Sequence, residues 1–162
     1  MCPPRGAPVT GILHDMDCNG TTLENLSREE CLRLVGQVPV GRIVYTRQAL
    51  PAVELVNFAL HDGDIIIRTD ASGKLAAATR GAVVAFEADS VNTAAHAAWS
   101  VTVVGYSEAV TDAQQIRQLE QVGLLPWAPG KHDHFIRISP TIVNGRRLTP
   151  HQTTGDHDAT AV

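Results

Sequence analysis

The stretch Asp64–Arg80, DIIIRTDASGKLAAATR, decides how this chain folds. Ile65, Ile66 and Ile67 are three β-branched residues in a row, stiff at χ1 and suited to a pleated strand. The strand is expected to end near Thr69, because Asp70, Ala71, Ser72 and Gly73 carry turn chemistry. From Ser72 the pattern turns helical, with Leu75, Ala76, Ala77 and Ala78 all good helix formers. The Ser72 hydroxyl can cap that helix by accepting from an orphan backbone N–H. A helix start points unpaired N–H groups outward, and its dipole favours an anion by about 0.3–2 kcal/mol. Lys74 stands in this first turn, Thr69 and Ser72 add hydroxyls, and Arg68 adds a second cation. Two readings stand side by side: a cradle for a phosphate, and a capped surface helix with a solvated lysine. The loop is not a Walker A motif, which needs Gly-x-x-x-x-Gly-Lys-Ser/Thr.

Working outward, His61-Asp62-Gly63 predicts a tight hairpin that joins a strand over Ala52–Leu60 to the one over Asp64–Thr69. Further strands are expected over Gly41–Thr46, Val83–Asp89, Ala98–Val110, Phe135–Ile138 and Thr141–Leu148, with a bend or bulge at Gly105. Ser27, Arg28, Glu29 and Glu30 form a capping box, with Leu26 as a staple, and open a short helix that Gly36 and Pro39 end. Thr111 and Asp112 cap a further helix over Ala113–Val122, with Ile116 and Leu119 on one face. Hairpin-linked strands with few helices predict a mainly β fold: an antiparallel barrel of six to seven strands with peripheral helices. Residues 1–24 and 149–162 read as flexible tails around one domain over 25–148.

Seventeen acidic against thirteen basic residues leave a net charge of −4, and the arginines are scattered, so no nucleic-acid partner is expected. Cys2, Cys18 and Cys31 form no Cys-x-x-Cys, which excludes a zinc knuckle or disulfide framework. No run of about 18 apolar residues offers a membrane span, and MCPPRGAPVTG lacks a signal-peptide core, so a soluble, cytoplasmic protein is expected. His14, Asp15, Asp17 and Cys18 lack a scaffold, and His132 and His134 lack a third ligand, so no metal site is expected. Glu87 and Asp89 end a strand and read as solvated, while Arg42 awaits an unspecified acid.

Five stretches carry a resemblance: Gly41–Tyr45, Ala52–Phe58, Arg68–Lys74, Trp99–Gly105 and Pro126–Phe135. In order and spacing they resemble the pyridoxamine 5′-phosphate oxidase-like superfamily over residues 25–147. The likeness is closest to its actinobacterial flavin-binding branch, which includes nitroimidazole-reductase-like proteins. The resemblance implies an FMN-binding split barrel, a homodimer with two sites at the subunit interface, and a small-molecule substrate. It implies that Asn57 meets the flavin ring and that Arg68, Thr69, Ser72 and Lys74 surround the phosphate. Trp99 and Ser100 lie beside the ring in this likeness. Trp127 reaches the flavin held mainly by the partner, and His134 stands where the oxidases carry a flavin-contacting arginine. No catalytic side chain is implied.

A micromolar affinity needs about 8 kcal/mol, more than phosphate capture supplies. Ring burial must provide the rest, and the two tryptophans are the aromatic faces for it. By this resemblance, Asn57-Phe58 stands where the oxidases use a lysine near the end of the second strand to hold the substrate phosphate, and Gly73 stands for the second basic residue of their phosphate segment. The expectation is therefore flavin redox on a small organic acceptor rather than pyridoxamine phosphate oxidation. Alternatives are a flavin carrier or redox sensor without turnover, and a deazaflavin- or haem-binding relative.

Overall fold

The computed structural model describes residues 21–70, 74–127 and 130–150, with the side chains of Lys74 and Ala78 outside that description. The elements run β1 (Thr21–Asn25), α1 (Arg28–Val35), β2 (Val40–Arg47), β3 (Leu50–His61), β4 (Asp64–Thr69), α2 (Lys74–Thr79), β5 (Ala82–Asn92), β6 (Ala97–Val110), α3 (Ala113–Glu120) and β7 (His134–Pro150). Every pairing is antiparallel. The order β1-β7-β4-β3-β2-β5-β6, with a further β6–β7 pairing, closes six strands into a ring. β1 lies outside the ring. It takes residues 146–150 of β7, while β4 takes residues 134–138 of the same strand. This is the split barrel the strand pattern predicts.

The three isoleucines of β4 show why the chain closes this way. Ile65 and Ile67 enter the barrel core with Ile43, Phe86, Val103 and Ile136. Ile66 faces outward into a second cluster with Leu119, Leu124 and Phe135. Alternation sends neighbours to opposite faces, so an unbroken apolar run requires both faces to be covered. α3 and the segment after it cover the outer one. Each isoleucine fully buried in this way contributes about 1.5–3 kcal/mol.

α1 and α2 also pack on the barrel, bringing Cys31 and Val35, and Leu75 and Ala76, into the core cluster. Ser27 caps α1 by accepting from the Glu30 N–H at 3.2 Å. The return half of the expected box is not made, because the Glu30 carboxylate takes Arg33 and Arg147 instead. Asp112 caps α3 by accepting from the Gln115 N–H at 2.8 Å.

The hairpin at residues 61–63 forms as expected, with Asp62 and Gly63 at φ of 51° and 84°. A second turn of the same kind joins β2 to β3 through Gln48 and Ala49, at φ of 52° and 64°. Neither residue favours the left-handed region, so the sequence carries no signal for it.

Several expectations need correction. The predicted strands Phe135–Ile138 and Thr141–Leu148 are one strand, β7, running through Pro140. Pro140 has no N–H to give the ladder. It lies opposite Gly105, where the β6–β7 register slips between Val104 and Gly105. A Cβ on Gly105 would collide with the Ser139 carbonyl, so the bulge requires glycine. α3 ends at Glu120, two residues earlier than expected. The domain boundaries move outward: Thr21–Asn25 form β1, and Thr149 and Pro150 pair with Thr22 and Thr21. The remainder of both expected tails lies outside the described residues. Among the described residues, no helix is long and apolar enough to cross a membrane.

Candidate functional site

Two polar side chains pin the loop that follows α3. Asn57, opposite Val40 in the β2–β3 ladder, donates from Nδ2 to the Pro39 carbonyl at 3.4 Å. Its Oδ1 accepts from the Trp127 N–H at 2.8 Å. Arg68, opposite Phe135, donates from Nε to the His132 carbonyl at 2.7 Å and from Nη1 to the Leu124 carbonyl at 3.3 Å. Its guanidinium carbon stands 5.3 Å from the centroid of the Phe135 ring. The loop backbone is thus held from both β3 and β4.

The pinned loop presents apolar surface to solvent. Trp127 is 70% exposed and Leu125 is 74% exposed. With Pro39, Asn57 and Leu124 they line a cavity of about 270 Å³. An indole held in water by its own backbone gains nothing for the fold and suits contact with another surface.

The expected residues are distributed as follows. Asn57 and Arg68 reach the site region, but the hydrogen bonds above are to backbone, a positioning task the sequence did not signal. Thr69 is buried at the end of β4, opposite His134, which opens β7 and is exposed. Ser72 lies outside the described residues. Lys74 is the first residue of α2, and its side chain lies outside the description. α2 has only six residues, so the helix field assumed for the phosphate cradle is small. A phosphate there would depend on side chains and backbone amides more than on the helix field.

Trp99 and Ser100 open β6. Trp99 is half-buried against the core cluster, while Ser100 is exposed between Asp89 and Arg146. Ser100 shares the outer face of the barrel with Asn57. The row Leu55–Arg42–Glu87–Thr102 crosses β3, β2, β5 and β6 in register. Asn57 and Ser100 each lie one alternation beyond it, three strands apart, or roughly 14 Å at usual strand spacing. Glu87 and Asp89 are not merely solvated: both accept from Arg42, at 2.8 and 2.5 Å.

Beside that polar row runs an apolar one. Val53, Val44, Ala85, Val104 and Ile142 stand in register across five strands. Val53 is 59% exposed and Ile142 is 51% exposed. Asn57 and Ser100 therefore lie on an open wall rather than in an enclosed pocket, while Thr69 and Trp99 turn toward the core. Strand period gives the side each of these residues faces, and only the register between strands joins them into one stripe. Among the described residues, no three His, Cys, Asp or Glu side chains come together for a metal.

Comparison with known proteins agrees with this architecture. The profile of the pyridoxamine 5′-phosphate oxidase family matches residues 27–147. The uncharacterised protein Rv0080 of Mycobacterium tuberculosis is 38% identical over 134 residues, covering 80% of this chain and 88% of its own length. Among solved structures, the FAD-binding protein from Mycobacterium smegmatis is 32% identical with a TM-score of 0.66, over 77% of this chain and 98% of that one. An FAD-binding protein from Mesorhizobium loti, at 23% identity and a TM-score of 0.66 over 80% of this chain and 99% of that one, shares the fold.

Proposed function

Because the chain belongs to the pyridoxamine 5′-phosphate oxidase family, we propose that it binds a flavin and acts as an FMN-dependent oxidoreductase on a small organic acceptor. The observation that carries this reading is the Trp127 loop, pinned by Asn57 and Arg68 with its indole in water. The residues fit a flavin: an exposed indole and leucine for a planar ring, and the segment between Thr69 at the end of β4 and Lys74 at the start of α2 for a phosphate. When bound, the flavin supplies the redox chemistry. The chain's residues bind it, orient it and shield it from water.

The wall on which Asn57 and Ser100 lie is open, so a ligand on it needs a second surface. A second copy is the proposed cover, which makes the protein a homodimer with two shared sites. The apolar row is flanked by a row that carries both Arg42 and Glu87, so two copies related by a twofold axis can oppose unlike charges. Pyridoxamine phosphate itself is not proposed as the substrate. Asn57, in the place of the oxidases' lysine, spends both ends of its carboxamide on backbone. FAD is the second reading, favoured by the ligand named for the Mycobacterium smegmatis relative.

Titration of the purified full chain with FMN and with FAD, followed by visible absorbance, tests both readings. Tighter binding of one assigns the cofactor, and uptake of neither defeats the proposal. Lys74→Ala should weaken flavin binding by about 1–3 kcal/mol, the loss of a charged hydrogen bond, with the melting temperature unmoved. Reduction by NADH or NADPH, then reoxidation by nitroaromatics or quinones, separates an enzyme from a carrier.

A further inference from the structure

We infer that the cleft between β1, β6 and β7 is a subsite for a small-molecule oxyanion, with Arg146 as its recognition cation. The cleft measures about 580 Å³ and is lined by Asn25, Ser100, Thr102, Asn144 and Arg146. Register explains the gathering. Arg146 has Asn25 on one flank and Ser100 on the other, and Thr102 faces Asn144 in the next row. The polar side chains that line this cleft with Arg146 are neutral, and on the Ser100 side Arg146 also borders a recess lined by Arg42, Glu87 and Asp89.

Arg146 differs from its neighbours in its company. Arg33, Arg42, Arg137 and Arg147 each meet a carboxylate. Arg28 and Arg68 donate to backbone carbonyls. Among the described residues, Arg146, like Arg80 and Arg117, has no hydrogen-bond or ion-pair partner, and of these three it is the one that lines the cleft with two hydroxyls and two carboxamides. The adjacent Arg147 faces the other side of the strand and is neutralised there by Glu24 and Glu30. The nearby carboxylates Glu87 and Asp89 are occupied by Arg42.

An exposed arginine needs only water. A recess that adds two hydroxyls and two carboxamides around it supplies donors to several oxygens at once, which water does not require. The guanidinium fork matches the paired oxygens of a carboxylate or phosphate. The occupant is thus a small molecule bearing either group. This inference is independent of flavin binding, although Ser100 borders both regions.

The test uses the full chain with inorganic phosphate and succinate as separate probes, followed by amide chemical shifts, and FMN titrated in parallel. Shifts at Ser100, Thr102, Asn144 and Arg146 are expected, and the better probe identifies phosphate or carboxylate as the preferred group. Arg146→Ala should weaken that binding at least about tenfold, and Arg146→Lys should restore part of it. Neither change should move the melting temperature, since Arg146 has no partner to lose. Equal binding by wild type and Arg146→Ala, or no shifts at the cleft with either probe, overturns the inference. So does an Arg146→Ala variant that alters only dimer dissociation, which would assign the guanidinium to a carboxylate of the second copy. Oxyanion binding without flavin uptake would keep this inference and remove the flavin reading; the reverse result would do the opposite.

Discussion

Asn57 and Glu30 illustrate how much one side chain decides here. A carboxamide in mid-strand is poorly suited to a ladder, which marks Asn57 as a residue with a task. The task is to hold the Trp127 N–H and the Pro39 carbonyl. Its polarity was legible in the sequence; its partners, 70 and 18 residues away, were not. Glu30 binds Arg33 of its own helix and Arg147 of β7. Those hydrogen bonds, Arg33 first, hold its carboxyl at about 2, below an ordinary value of 4.5. A carboxylate whose pKa is depressed on folding stabilises the fold above its unfolded pKa and ceases to as pH falls toward its folded one. Melting temperatures of wild type and Glu30→Gln should therefore differ by a constant gap at neutral pH. The gap should close between pH 4.5 and 2, and it should narrow in high salt because the pair is exposed. A gap that persists at pH 2 would show that Glu30 acts through something other than its charge.

At the scale of elements, local chemistry and long-range fit divide the work. The Ser27 and Asp112 caps, the Asp62-Gly63 turn and the isoleucine run of β4 act within a few residues, so they could be read directly. The Gln48-Ala49 turn could not, because nothing in those two residues asks for a positive φ. It is set by the pairing of Arg47 with Leu50 on strands held elsewhere. Pro140 makes β7 read as two strands in sequence, and the matching bulge at Gly105 makes the proline tolerable in one. The seat of α1 on the barrel is equally non-local. The Leu26 N–H donates to the Gly145 carbonyl at 2.9 Å. A Cβ on Gly145 would lie 2.5 Å from Cys31 Sγ and 3.1 Å from Val101 Cγ2. Gly145→Ala should destabilise the protein by about 1–3 kcal/mol, the usual cost of overpacking. Cys31→Ala should cost less in that background than alone, since it removes the clashing sulfur. Urea denaturation of the two single variants and the double variant measures this coupling, and strict additivity would show that α1 moves aside freely.

At the scale of the whole molecule, the two sides of the barrel differ in kind. Where α3 packs, the outer face of β4 is buried. Across β3, β2, β5, β6 and β7 the outer face carries an in-register apolar row with no element over it among the described residues. The proposed dimer accounts for that row. Val104→Glu, at a position with apolar neighbours on both adjoining strands, should convert a dimer into a monomer by light scattering at micromolar concentration. The variant should remain folded by circular dichroism, since the wall faces outward. A wild-type monomer would count against shared sites altogether. The sequence by itself determined the elements, because caps, turns and hydrophobic period act between neighbours in the chain. Only the tertiary structure decided which strands close the ring, which faces stay open, and which arginines meet an acid. Those outcomes depend on register between strands as far apart in the chain as those of Thr21 and Pro150, and period two records that a side faces one way without recording what it meets there.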